Sequence, residues 1–269
     1  MSRWWFYAGI LASLCPCACS ASSKKAASPT ASSSTEIVVL GVTHRLTPRF
    51  PPERLAEIVA SQRPSMVLLE LPIDWYENGH PTTRIRAMLE KDGQAPDGLA
   101  WSYCQHANIW CGPFDLRGRN EFYRATRFIE REDVFWPAVF DLVKERAPLA
   151  GRAIAMHFEL KSACTDSAPE QMNSSACDGI VALEHSYRAE VAGALVPGST
   201  MDDKGFLELS RKEWDDRNRA MAENVCAAAR RSGPGTVVVI VGYEHRYALR
   251  PAIARECPEL RLRELWEKR

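Results

Sequence analysis

The chain has 269 residues, enough for one sizeable core and for two only if both are small. Its 34 basic and 34 acidic side chains cancel, and no long basic or acidic run interrupts the balance. That argues against nucleic acid as a partner and favours a neutral partner, a small-molecule substrate or a peptide substrate.

At the N-terminus Arg3 precedes an apolar stretch from Trp4 to Leu14, followed by small residues around Ala18, Cys19 and Ser20. This layout predicts a secretory signal over residues 1–20, because the stretch is shorter than the ~20 apolar residues that span a bilayer. A degenerate anchor is the alternative. Cys15, Cys17 and Cys19 raise the option of a lipoprotein signal and membrane attachment through an N-terminal lipid, although none follows a clean Leu-Ala-Gly stretch. The expectation is export to the periplasm or cell surface. Residues 21–35 are rich in Ser and Ala and cannot bury enough apolar surface to offset their conformational entropy. They predict a flexible tether, with the folded domain over 36–269. Oligomeric state is not legible.

Glu36 to Leu40 is a β-branched apolar run ending in Gly41, and Ser65 to Leu71 is a second. Between them Pro51 to Arg63 carries Leu55, Ile58 and Val59 at helical spacing. Strand, helix and strand in this length predict a βαβ unit with parallel strands. Farther on, Thr83–Lys91, Leu99–Asn108, Glu121–Glu130, Pro137–Arg146 and Asp178–Leu195 predict helices, and Ser162–Ser175 a polar loop. Trp110 to Leu116 reads as a strand in which Pro113 makes an interior position doubtful. Phe206 to Arg231 predicts a long helix closed by Gly233, Pro234 and Gly235. Thr236 to Val241 is a buried strand ending in Gly242, Tyr247–Arg255 a helix, and Leu260–Leu265 a final strand. The fold class is therefore α/β, with a mostly parallel sheet flanked by helices in a single domain with a helical middle section. Of the domain's six cysteines, short spacings suggest Cys104 with Cys111 and Cys164 with Cys177, and the absence of C-x-x-C disfavours a zinc ribbon.

Two strand ends share one form, Gly41-Val42-Thr43-His44 and Gly242-Tyr243-Glu244-His245. Parallel sheets carry their ligand crevice beyond the carboxyl ends of the strands, so both histidines point to one edge of the sheet. A single loop histidine is more often an ordinary hydrogen-bonding residue; the repetition at equivalent places is what suggests a site. Glu70, near the end of the second strand, adds a carboxylate where an apolar residue is expected, and a buried carboxylate needs pairing, protonation or a metal. The other reading has Glu70 reaching water or capping a helix. Two imidazoles and a carboxylate would suit a divalent metal with an open position. Asn218 shares its helix's apolar face with Met221, Ala222, Val225 and Ala229, so its amide needs partners. Arg217 flanks that face. Both could instead be structural, through an amide network and a salt bridge. Asp115, followed by Arg117 and Arg119, is a further acid at the sheet edge, or an ordinary turn residue. His80, His106, His157 and His185 have no comparable setting. G-x-S-x-G, the P-loop, G-x-G-x-x-G and H-E-x-x-H are all absent. Trp75, Tyr76, Trp101, Tyr103 and Trp110 line a pocket or fill the core.

Taken in order, GVTH (Gly41 to His44), LLE (Leu68 to Glu70), RN (Arg217 and Asn218) and GYEH (Gly242 to His245) resemble the TraB/PrgY, GumN and TIKI group. That group lies within a broader set that includes erythromycin esterases and ChaN-like proteins. The resemblance covers the first strands and the last third of the domain; the middle matches only in being helical and in an acid near Asp115. For TIKI-like members it implies metal-dependent peptide hydrolysis. His44, Glu70 and His245 would then hold a divalent ion (Mn, Co, Zn or Fe), with Arg217 and Asn218 in support and Asp115 near them. Erythromycin-esterase-like relatives imply metal-independent water activation by a histidine and a glutamate. ChaN-like relatives imply a surface lipoprotein that binds haem or iron, for which Tyr243 is the added candidate.

Overall fold

The apolar runs separated by helices assemble side by side into one parallel sheet. The computed structural model describes residues 34–267, all within one unit, Ser32–Arg269. The expected signal segment over 1–20, with its three cysteines, and residues 21–33 of the expected tether lie outside the described residues. Thr35, expected to be tether, already opens the first strand.

In chain order the elements are β1 (Thr35–Val42), α1 (Pro52–Ser61), β2 (Met66–Pro72), the short pair β3 (Tyr76–Glu77) and β4 (His80–Pro81), α2 (Thr83–Lys91) and α3 (Pro96–Ala107). Then come β5 (Trp110–Asp115), α4 (Arg119–Thr126), α5 (Phe128–Arg146), α6 (Pro148–Thr165), α7 (Pro169–Met172) and α8 (Ser175–Leu195). The chain closes with α9 (Gly205–Ser232), β6 (Gly235–Gly242), α10 (Tyr243–Glu256) and β7 (Arg261–Arg263). The main sheet runs β5-β2-β6-β1-β7, with every pairing parallel. The first βαβ unit is thus split by β6. Its run of four valines and an isoleucine can be buried on both faces, which suits the central place.

Alternate residues of β1 face opposite layers. Val38 and Leu40 pack with Leu55, Ile58 and Leu89 of α1 and α2, whereas Ile37 and Val39 pack with Val225, Ala229 and Leu249 of α9 and α10. A third cluster, built on Phe128, Phe135, Val139, Ile154 and Phe206, joins α5, α6 and the start of α9. Among the described residues no helix is long and apolar enough to cross a membrane.

Several boundaries differ from expectation. Pro113 is accommodated because β5 is an edge strand, where a missing amide donor is tolerated. The expected helix over Glu121–Glu130 is broken at Arg127, which takes a left-handed φ of 50° and separates α4 from α5. Pro137 sits inside α5 instead of starting a helix. The polar segment Ser162–Ser175 is no simple loop, since α6 runs into it and α7 occupies its middle. Gly242 to His245 is the entry into α10, so the second histidine stands in a helix's first turn.

Among the described residues three disulfides link Cys104 to Cys111, Cys164 to Cys177 and Cys226 to Cys257. The first two are the short-range pairs suggested by spacing. The third closes a 31-residue separation and fixes α9 to the end of α10. Loop-closure entropy for that length is about 3–4 kcal/mol. Replacing Cys226 and Cys257 together with alanine should lower unfolding free energy in urea by about that amount; an unchanged midpoint would show that this link contributes nothing.

Candidate active site

The register of β1 against β6 pairs Gly41 with Val241 and Val42 with Gly242, so the two glycine-containing strand ends lie side by side. Close approach explains both glycines. A Cβ on Gly41 would stand 3.1 Å from the Tyr243 Cα, and one on Gly242 would stand 3.2 Å from Glu70 Oε2.

Glu70 leaves β2 beside this junction and has both oxygens engaged. Oε2 accepts the Gly242 N–H at 2.5 Å, and Oε1 accepts from Arg217 Nη2 at 2.5 Å. Arg217, reaching across from α9, also donates through Nε and Nη2 to Asp115 at the end of β5, both at 2.9 Å. Asp115 is fully buried and takes further bonds from the Leu116 N–H, at 2.7 Å, and from Arg119. Two carboxylates and two guanidiniums therefore close into a neutral network. Burial works against the Arg217 charge, but Glu70 and then Asp115 outweigh it and push its pKa further up.

His245 is buried in the first turn of α10. Its Nδ1 lies 3.0 Å from Asn218 Oδ1, and Asn218 Nδ2 donates to the Trp214 carbonyl at 2.7 Å. The amide oxygen thus faces the ring, which places the proton on Nδ1 and leaves Nε2 with a free lone pair. Nε2 stands 3.9 Å from Glu70 Oε1. The Trp214 indole stacks on the imidazole with centroids 4.4 Å apart. Burial first, and then the Arg217 charge, hold the His245 pKa well below the usual histidine value, so the ring is neutral.

His44 lies on the exposed segment after β1 and lines the same cleft, of about 440 Å³, as Glu70, Arg217 and His245. Sequence reasoning missed Asp97, in the first turn of α3, which lines this cleft too. Part of its surface remains accessible, yet its surroundings are dense. Burial first, and then the Glu70 charge, push its carboxyl up to about 7. An acid in the first helical turn is so common that its sequence carried no signal. His185, set aside earlier, belongs to a neighbouring ionic group. Its Nε2 lies 3.5 Å from Glu244 Oε2, and Lys161 bridges Glu184 and Glu244 at 3.2 and 3.1 Å. Among the candidate aromatics Trp75 lines the cleft and Trp101 is core, while Tyr76, Tyr103 and Trp110 pack against the core.

A divalent ion asks for several side chains with free lone pairs. Glu70 offers both of its oxygens to N–H donors, one of them a guanidinium at 2.5 Å, and His44 stands exposed on its loop. Among the described residues no three His, Cys, Asp or Glu side chains are disposed to hold a metal. The His44, Glu70 and His245 set does not fit the Mn, Co, Zn or Fe ion expected for it. Nor does Tyr243 suit haem iron. Burial and then Glu244, which accepts its hydroxyl at 3.1 Å, raise its pKa and disfavour the phenolate that ligation requires.

Arg217→Met would leave Glu70 without a cation and Asp115 dependent on Arg119. Breaking a buried pair in this way should cost about 3–5 kcal/mol of unfolding free energy; a loss below about 1 kcal/mol, typical of exposed pairs, would show that the network is not buried in solution. Compared with protein-family models, with curated proteins and with solved structures, the chain matches none.

Proposed function

We propose that this protein is a hydrolase of esters or amides in which His245 activates water without a metal ion. The observation that carries the reading is a neutral, buried imidazole whose bare Nε2 faces Glu70 in a cleft, its tautomer held by Asn218. The erythromycin-esterase-like alternative has this metal-free form, and the engagement of both Glu70 oxygens by N–H donors supports it over the metal-dependent one. The three disulfides suit an oxidising compartment, in keeping with export to the periplasm or cell surface.

In the proposed reaction Nε2 takes a proton from water as the water oxygen bonds to the substrate carbonyl carbon. Burial weakens the imidazole as a base, and the Glu70 charge at 3.9 Å favours the imidazolium as it forms. Arg217 uses Nε and Nη2 on the carboxylates; Nη1 makes no hydrogen bond among the described residues and is the donor for the developing oxyanion. Asp97 gives its proton to the leaving oxygen or nitrogen as the bond to carbon breaks. Solvent then returns the His245 proton to Asp97, leaving an acid and an alcohol or amine.

The test is a panel of chromogenic esters and aminoacyl anilides. His245→Ala should lower kcat/KM by about 10²–10⁴, and a chelator should leave the wild type unaffected. Activity lost to chelator and restored by Mn, Co or Zn would overturn the metal-free mechanism. The pH profile offers a second check. Asp97 holds its proton below about 7, whereas His245 stays neutral to well below 6.5. Activity should therefore hold through mildly acidic pH and fall as pH rises through about 7. Asp97→Asn should lower kcat and remove that alkaline fall; a variant that keeps it would exclude Asp97 as the proton donor.

A further inference from the structure

A larger groove, of about 900 Å³, adjoins the cleft, with Tyr123 and Arg217 belonging to the walls of both. Trp214, which stacks on the His245 ring, also lines it, so one indole separates the groove from the imidazole. Most ionic groups around it are matched. Arg217 is held by Glu70 and Asp115, Arg188 by Glu184 at 3.1 Å, and Glu244 by Lys161 and His185. Asp215 is exposed, and Arg211, exposed as well, donates Nη2 to the Ala189 carbonyl.

Two carboxylates remain. Glu213 is 8% exposed, and its bond within the protein is from Tyr123 Oη at 2.6 Å. Glu132 is half-buried and has no hydrogen bond or ion pair among the described residues. Burial raises the pKa of each, and the Glu213 charge raises that of Glu132 further. Among the described residues neither carboxylate has a salt-bridge partner, and Arg188 near Glu132, like Arg217 and the Tyr123 hydroxyl near Glu213, offsets only part of the burial. A cation arriving from outside, or a shared proton, would offset the rest. An inorganic divalent ion would want six or more oxygens, by rough count, and no such group is present among the described residues. The aromatic walls point elsewhere. Trp136 already carries the Arg188 guanidinium 4.5 Å from its ring centroid, and Phe128, Trp214 and Tyr247 continue the surface. Carboxylates set among aromatic rings are the equipment for an organic ammonium.

We propose that this groove is a cation subsite, in which Glu132 and Glu213 hold an amine or quaternary ammonium borne by the substrate while its ester or amide lies over His245. The naming of a substrate rests on the hydrolase reading; the binding of a cation does not.

The experiment titrates the full chain, at mildly alkaline pH, with choline and with its neutral isostere 3,3-dimethylbutan-1-ol, following tryptophan fluorescence and heat. Choline should bind at least tenfold more tightly than the isostere. Glu132→Gln and Glu213→Gln, each checked for native circular dichroism, should weaken choline at least tenfold, and Asp97→Asn should leave it unchanged. Equal binding of the two probes, no binding of choline, or Gln variants that bind like the wild type would each overturn the proposal. Paired carboxylates that share a proton would show no choline binding and so overturn it too. The hydrolase reading fails separately. Choline binding with no hydrolysis of any ester retains the subsite, whereas equal kcat/KM for acetylcholine and 3,3-dimethylbutyl acetate removes the subsite and retains the hydrolase.

Discussion

The guanidinium of Arg217, shared between Glu70 and Asp115, is the constraint around which the site is arranged. Two carboxylates at the ends of neighbouring strands β2 and β5 repel each other across a surface with little water. A cation between them turns that repulsion into attraction, and only the flat fork of arginine can bond both at once. Drawing α9 across the strand ends has further effects. The next residue, Asn218, turns about 100° around the helix and meets the His245 ring. Trp214, a turn earlier, supplies the carbonyl that orients the amide and the ring that stacks on the imidazole. Glu213 and Arg217, four apart, present a carboxylate to the groove and a guanidinium to the cleft from one helix face. A segment of less than two turns thus sets the charge of one pocket and the tautomer in the other.

Sheet topology explains why that segment finds both motifs. Because β6 is inserted between β1 and β2, the GVTH and GYEH strand ends are adjacent, and Glu70 emerges on their other side. Parallel strands bring every carboxyl end to one edge, where helices begin and backbone N–H groups are available. The Gly242 N–H uses that position to hold Glu70, and its missing Cβ is what lets the carboxylate approach.

Much of this was legible in the sequence, for definable reasons. Short, β-branched apolar runs bounded by turn residues read as strands buried on both faces, and these marked out the sheet. Glu70 and Asn218 stood out because polar groups at apolar positions demand partners, Asp115 only as an acid at the sheet edge, and the structure supplies partners for all three. Short cysteine spacings suggested two of the disulfides that the structure contains. The helical middle was less legible because its breaks depend on single backbone states, such as the left-handed Arg127, that many residues can adopt. Asp97 was invisible because its surroundings come from β2, β5 and α4, distant in sequence. The ligand set of two histidines and a glutamate was read from residue types; that Arg217 claims Glu70 from 147 positions away is a fact of the third dimension.

The same network bears on how a proton could move in the proposed reaction. Arg217 opposes a positive charge on His245, and Glu70 opposes a negative charge on Asp97. Taken singly, protonating the histidine or ionising the aspartate would unbalance a cleft whose charges are already matched. Taken together they cancel: the imidazole gains a proton while the carboxyl loses one, and the net charge of the cleft does not change. In a partly desolvated site that is the less costly route, because no uncompensated charge is created at any point. A depressed histidine and a raised aspartate flanking one fixed carboxylate therefore favour coupled transfer, with water deprotonated on one side as the leaving group is protonated on the other.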